Sequence, residues 1–524
     1  MNRFYNHTFL LVLLMLQFSV HAQEQNAQNP ILFADVPDAS MVRIGDTYYM
    51  SSTTMHLSPG VPIIKSKDLV NWELVNYAYD RLGEVDDLNL ENGKNAYGRG
   101  SWASCIRYHN GTFYVFTFAA TTGKTYVFST KDIENGPWKE TTFEPSYHDL
   151  TVHFDDDEKV YMIWGAGKLM IAELENDFSG VKKGTERVLI ENASAPAGDN
   201  IMLGAEGSQL FKINGKYYLF NITWPKGGMR TVLIHRADNI NGPWEGRLAL
   251  QDKGVAQGGL IDTPDGKWFS YLFRDYGSVG RIPYIVPVKW KDGWPILGVD
   301  GKVPDTLNLP PSVGLIPNIV ASDEFERKKN DSKLPLVWQW NHNPVDNFWS
   351  LKDRKGYLRL MTGRIDSTFV QARNTLTQRT IGPVCAGTTA LDISQMKEGD
   401  FAGLSLLQRN YGLVGVKFEN GKKSIVMVNT KDDQPLIQES IPLTQKRIYL
   451  KATCDFTNKK DEAQFYFSLD GKNWSSIGIT LKMSYTLPHF MGYRFGLFNY
   501  ATAQTGGFVD FDYFRIKNEL TEMN

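Results

Sequence analysis

Over roughly the first three hundred residues, short apolar runs alternate with polar turns in one recurring unit. It appears as VRIGDTYYM (42–50), IRYHNGTFYVF (106–116), VHFDDDEKVYMIW (152–164), FKINGKYYLF (211–220) and IDTPDGKWFSYLF (261–273). Each reads as a hairpin with an aromatic or apolar return strand. Gly, Asn and Asp occupy the turns because they tolerate positive φ or bond their own backbone. Polar turns ending in Trp follow three of the units, at 66–72, 130–138 and 235–244. Five repeats, about 45 to 65 residues apart, predict a five-bladed β-propeller over 23–300. A plain sandwich of hairpins has the same periodicity but no need of one unit five times, and no helical period competes.

The stretch GKVPDTLNLPPSVGLIP (301–317) lacks both periods, so 301–320 reads as a linker. From 321 to 524 apolar and polar residues alternate again, in GYLRLMTG (356–363), RIYLKATCDF (447–456) and FVDFDYFRIK (508–517) among others. Asn420-Gly421 and Asp470-Gly471 supply hairpin turns. The fold class is therefore all-β: a propeller followed by a two-sheet antiparallel β-sandwich of the jelly-roll kind.

Other features narrow the partner. Arg3, the apolar run from Phe9 to Leu16 and the small-x-small ending Val20-His21-Ala22 predict a cleaved export signal over 1–22. Export is the expectation, to the periplasm in a Gram-negative cell and otherwise to the medium. The apolar run is too short to span a bilayer, so no membrane partner is expected. Basic and acidic residues number 56 and 58, a net charge of −2. Such a chain has no summed field to hold nucleic acid, and a neutral partner fits better. Cys105, Cys385 and Cys454 are few, odd in number and far apart, so they are expected to be buried and inert. The acidic run 155–158 reads as a solvated hairpin turn, and no H-x-x-x-H pair points to zinc.

The hairpins can be aligned on the first apolar residue of the return strand: Tyr48, Phe113, Val160, Tyr217 and Trp268. Eleven residues earlier lie Trp102, Asp149, Glu206 and Gln257, and ten before Tyr48, where the turn is one residue shorter, lies Asp38. Matching positions at the start of each blade's first strand ring one mouth of a propeller channel. Three blades would aim a carboxyl at one spot. Glycoside hydrolysis needs a protonated carboxyl at the leaving oxygen and an ionised one across the sugar, and a third acid beside the donor keeps it protonated. Trp102 is either a wall under the sugar or a core residue.

These segments resemble glycoside hydrolase family 43 over nearly the whole expected mature chain. NPILFADVPDASMVRIGDTYYM (29–50) is similar to the family's opening, with Ala39 where Pro is usual, and the resemblance makes Asp38 the general base. YHDLTVHF (147–154) resembles the segment of the pKa-modulating aspartate, here Asp149, and AEGSQLFKINGKYYLF (205–220) that of the general acid, here Glu206. Arg281 takes the place of an arginine that contacts sugar and base. Ala256 stands where many members carry a histidine near a central calcium, and no metal or cofactor is expected. The stretch 322–360 resembles the start of the concanavalin-like sandwich of the family's β-xylosidase and arabinofuranosidase branch, which lends an aromatic to the pocket rim; Phe490 is the candidate here.

The resemblance implies inverting exo-hydrolysis of arabinose- or xylose-containing oligosaccharide or hemicellulose. An α-L-arabinofuranosidase leads and a β-xylosidase is the close rival. Two more distant readings are a retaining fructan hydrolase, whose opening W-x-N-D-P-N motif is absent, and a non-catalytic carbohydrate-binding protein.

Overall fold

The computed structural model describes residues 26–328, 331–431, 433–486, 489 and 491–520. The export segment expected over 1–22 and the rim candidate Phe490 lie outside them.

The five repeats are five four-stranded antiparallel sheets. Their innermost strands are Ser40–Ile44, Cys105–His109, Thr151–Phe154, Ile201–Ile213 and Val255–Asp262. These strands touch one another in chain order, and the fifth meets the first, which makes the five sheets the blades of one closed ring. Small residues let the inner strands converge: a Cβ at Gly259 of blade five would lie 2.4 Å from the Phe211 ring of blade four.

Closure depends on the N-terminal segment. Ala27–Gln28 pairs antiparallel with Thr306–Leu307. The Asn29 amide donates to the carbonyls of Ile285 and Pro304 at 2.8 and 2.9 Å, and Val36 N–H donates to Arg281 O at 2.9 Å. Blade five is thereby tied to the residues entering blade one. The segment 301–320 is packed along this seam, with Leu307 and Ile319 buried in one apolar cluster with Trp72 of blade one.

The second region is a sandwich of two eight-stranded antiparallel sheets. The edge of one is Leu57–Ser58, a segment between two strands of blade one, paired with Trp340 and Asn341. Apolar residues of blades four and five, such as Phe220 and Tyr284, share a core cluster with Trp338 and Phe514 of the sandwich. The two regions therefore dock through both hydrogen bonds and buried apolar area. Asp35 adds a polar pin: its oxygens accept from Arg281 N–H at 2.8 Å and Gly492 N–H at 3.0 Å. Burial raises its pKa, and these two donors oppose that shift.

All three cysteines are free and buried. Cys385 and Cys454, distant in sequence, face each other across neighbouring strands. The acidic run 155–158 is only partly the solvated turn expected. Asp156, Asp157 and Glu158 are exposed, but Asp155 is buried, accepting from Lys212 Nζ and the Tyr217 hydroxyl at 2.5 Å each. A cation and a phenol from blade four satisfy it, a long-range pairing that the local run does not encode.

Candidate active site

One residue from each blade, Asp38, Trp102, Asp149, Glu206 and Gln257, lines a single cavity of about 310 Å³. These are the five positions matched by the hairpin register. Three of them share a backbone feature: Asp38, Asp149 and Gln257 have φ of 53°, 49° and 48°, the left-handed region that non-glycine residues seldom adopt. In blade four that conformation falls one residue later, on Gly207 at φ 64°. A Cβ there would lie 2.7 Å from the Gln257 side chain, so glycine is required twice over, for its φ and for the close approach. Clustered left-handed non-glycine residues are the strain that a site imposes on a scaffold.

On one side of the cavity Asp38, 3% exposed, accepts from Arg281 Nη1 on Oδ1 and from Thr53 Oγ1 on Oδ2, both at 2.7 Å. Each oxygen keeps a further lone pair for a water. Arg281 is held in turn by the Tyr485 hydroxyl, which accepts from Nε at 3.0 Å, and by Asp275 at 3.3 Å. Tyr485 belongs to the sandwich. The second region thus reaches the site through Tyr485, while the expected contributor, Phe490, is outside the described residues.

Asp149 and Glu206 form the second carboxyl group of the site. One oxygen of each and a ring nitrogen of His148 lie within 4.8 Å of one another. Nε2 of His148 is 3.0 Å from Glu206 Oε2, and Gly207 N–H donates to Asp149 Oδ2 at 3.0 Å. Burial pushes the Asp149 carboxyl up to about 7; His148 and the Gly207 N–H work against this, and the charges of Glu206 and Asp38 add to it. Burial also opposes charge on His148, but the bond to Glu206 and the fields of Asp149, Glu206 and Asp38 outweigh it and push the imidazole up to about 9. Near neutrality the Asp149 carboxyl therefore still binds a proton, beside an imidazolium at His148.

The remaining wall is apolar, from Trp102, Phe118, Ala120 and Leu203, with Arg230 near the Arg281 side through its ion pair to Asp275 at 2.6 Å. An aromatic wall facing convergent polar groups suits one sugar ring. His148, Thr53, Phe118, Leu203, Arg230 and Tyr485 escape the sequence reading. His148 alone has a local signal, as the neighbour of Asp149.

A central cation does not fit these residues. Ala256 is buried and offers no ligand atom. Arg107 instead crosses between inner strands, donating to Val152 O and Thr151 Oγ1 at 2.8 Å and to Leu210 O at 3.3 Å. Its fixed positive charge disfavours a metal ion beside it. Within the trio His148, Asp149 and Glu206, the imidazole is already engaged with Glu206, an arrangement for sharing protons.

The chain matches the model for glycosyl hydrolases family 43 over residues 27–295 and that for the beta xylosidase C-terminal concanavalin A-like domain over 322–517. A beta-xylosidase of Formosa agariphila is 30% identical, over 93% of this chain and 89% of its own. A non-reducing end alpha-L-arabinofuranosidase of Bacteroides ovatus is 26% identical, over 81% of this chain and 82% of its own. A solved structure described as a bifunctional GH43-CE protein of Bacteroides eggerthii is 67% identical with a TM-score of 0.94. That alignment covers 95% of this chain but 64% of the other, so this chain spans less than two thirds of that longer one.

Proposed function

This chain belongs to glycosyl hydrolase family 43, and on that premise we propose that it is an exported, inverting exo-hydrolase releasing single pentose units from hemicellulose or its oligosaccharides. The observation that carries the reading is the meeting of Asp38, Asp149 and Glu206 in one cavity large enough for a sugar ring.

In this reading Asp38 takes a proton from a water whose oxygen attacks the anomeric carbon. The glycosidic C–O bond breaks, and Glu206 gives its proton to the departing oxygen. Arg281 and Thr53 fix the base, and Trp102 and Gln257 shape the sugar pocket. Asp149 tunes the acid by sharing its proton. The Asp149 carboxyl, lifted to about 7, holds a proton beside Glu206, and a glycosidic oxygen arriving at Glu206 draws it across. His148 keeps the pair's total charge low until then.

Two substrates remain in play, terminal β-D-xylose and α-L-arabinofuranose. The β-xylosidase name of the Formosa agariphila relative, at 30% identity, favours testing the xyloside first. The Bacteroides ovatus relative, an arabinofuranosidase at 26% identity, supports the second reading. Export rests on the N-terminal leader pattern alone, and processing near Gln23 is testable by sequencing the mature N-terminus.

The deciding experiment compares 4-nitrophenyl β-D-xyloside with the α-L-arabinofuranoside, then follows the preferred sugar's first-formed anomer by proton NMR. Inversion is expected. Retention of configuration, or hydrolysis of neither glycoside, would overturn the reading.

A further inference from the structure

A second cavity, of about 280 Å³, lies between the sandwich and the connection from blade one to blade two, which contributes Glu91. It shares no lining residue with the catalytic cavity. That volume is at the small end of ligand sites, which begin at roughly 300 Å³.

Its charges cancel. Arg364 Nε pairs with Asp366 Oδ1 and Arg373 Nη1 with Glu91 Oε1, each at 2.7 Å. Two cations against two carboxylates leave no net field for an ionic ligand, whereas paired Arg and acid groups offer donors and acceptors to neutral hydroxyls.

Two buried polar atoms here lack a partner within the protein. Asn499, 4% exposed, lines the cavity; its Nδ2 donates to Leu360 O at 2.8 Å, but its Oδ1 accepts from nothing. Arg373 Nε is likewise an unpaired donor. Unmade bonds at buried groups are uncommon in folded proteins and call for a specific reason. Both residues line the cavity, so its wall carries hydrogen-bonding capacity that the protein itself leaves unused.

The walls also present an aromatic surface. Phe348, half-buried, lies so close over Gly363 that a Cβ at 363 would sit 2.2 Å from its ring. Tyr500 contributes a second ring to the lining. A flat apolar ring beside convergent hydroxyl-binding groups is the chemistry by which a sugar's C–H face and its hydroxyls are held together.

We propose that this cavity is a second, non-catalytic saccharide site that holds a neutral pentose-containing segment of the glycan whose end is cut in the propeller. The ligand class rests on the function proposed above; the site itself rests on the cavity. Holding one polymer at two places raises the effective concentration of its ends at the catalytic mouth, an advantage that a small aryl glycoside cannot use.

The test counts sites. Glu206→Gln protein, whose turnover is expected to be at least about 100-fold slower, is titrated calorimetrically with xylotriose and separately with arabinotriose. Two binding events per chain are expected with at least one of these sugars, and one event in the Phe348→Ala/Glu206→Gln double variant. In otherwise unaltered enzyme, Phe348→Ala is expected to cut kcat/KM on arabinoxylan about tenfold while leaving the favoured aryl pentoside unchanged. A single event in Glu206→Gln, two events surviving in the double variant, or equal losses on polymer and aryl glycoside would each overturn the proposal. The count in Glu206→Gln needs no change at the second cavity, so misfolding of Phe348→Ala cannot account for a single event. Failure to hydrolyse any aryl pentoside would instead strike the catalytic reading and leave the site count standing.

Discussion

Arg281 donates from Nη1 to Asp38 Oδ1 at 2.7 Å, with side chains 5% and 2% exposed, across 243 residues of sequence. The bond joins blade five to blade one at the catalytic mouth. The backbone of Arg281 makes the same junction, donating to Asp35 and accepting from Val36. Fixing the proposed base and closing the ring are thus one interaction.

Removing one partner of a buried ion pair strands the other, at a cost of about 3–5 kcal/mol. Arg281→Ala is therefore expected to lower the urea midpoint clearly. It should also reduce kcat/KM by about 100-fold, as a misplaced catalytic group does. Denaturation curves and aryl glycoside kinetics check both. An unchanged midpoint would remove the closing role.

Glu206→Gln is expected to lower kcat at least about 100-fold on xylan- or arabinan-derived oligosaccharides, the usual worth of general acid catalysis. The loss should shrink sharply with 2,4-dinitrophenyl glycosides, whose leaving group departs without a proton. Asp38→Asn should lose equally on both, because water must be activated in either case. Equal losses from Glu206→Gln on good and poor leaving groups would take the acid role away from it.

The raised carboxyl of Asp149 sets an alkaline limb. With Asp149 lifted to about 7, kcat/KM is expected to fall as pH rises past neutrality. His148, charged up to about 9, pulls the Asp149 pKa down. Replacing it with Gln removes that cation and should move the limb to higher pH. A limb that stays put, or moves down, would show that His148 does not act on the pair.

The same shift has a sign for stability. Asp149 holds its proton more tightly folded than unfolded, so its contribution is fully present below the ordinary carboxylate pKa and is lost as pH rises through about 7. Asp149→Asn abolishes that dependence. Its melting temperature is expected to exceed the parent's at pH 8 and to match it near pH 4. Loss of stability at pH 8 would mean that the carboxylate's contacts with His148 and Gly207 outweigh its burial.

The register of the repeats located one lining residue of the cavity in each blade, because a hairpin's length and turn type fix where each strand begins. The same reading named Phe490, which lies outside the described residues, as the sandwich's contribution; the contact to Arg281 from Tyr485 was not foreseen. Nothing near Tyr485 in sequence distinguishes it from the other aromatics of that stretch. Asp155 fared similarly: its run looks solvated, and only Lys212 and Tyr217 of the next blade draw it inside.

By itself the sequence determined the all-β class, the five blades, the sandwich and the carboxyl positions. Those depend on alternation, turn chemistry and spacing, which are forces between near neighbours along the chain. Only the packed sheets decided that Tyr485 reaches Arg281, that His148 faces Glu206, and that Leu57–Ser58 edges the sandwich. Such contacts depend on where whole sheets come to rest, which the summed packing of many buried side chains sets and no short stretch of chain encodes.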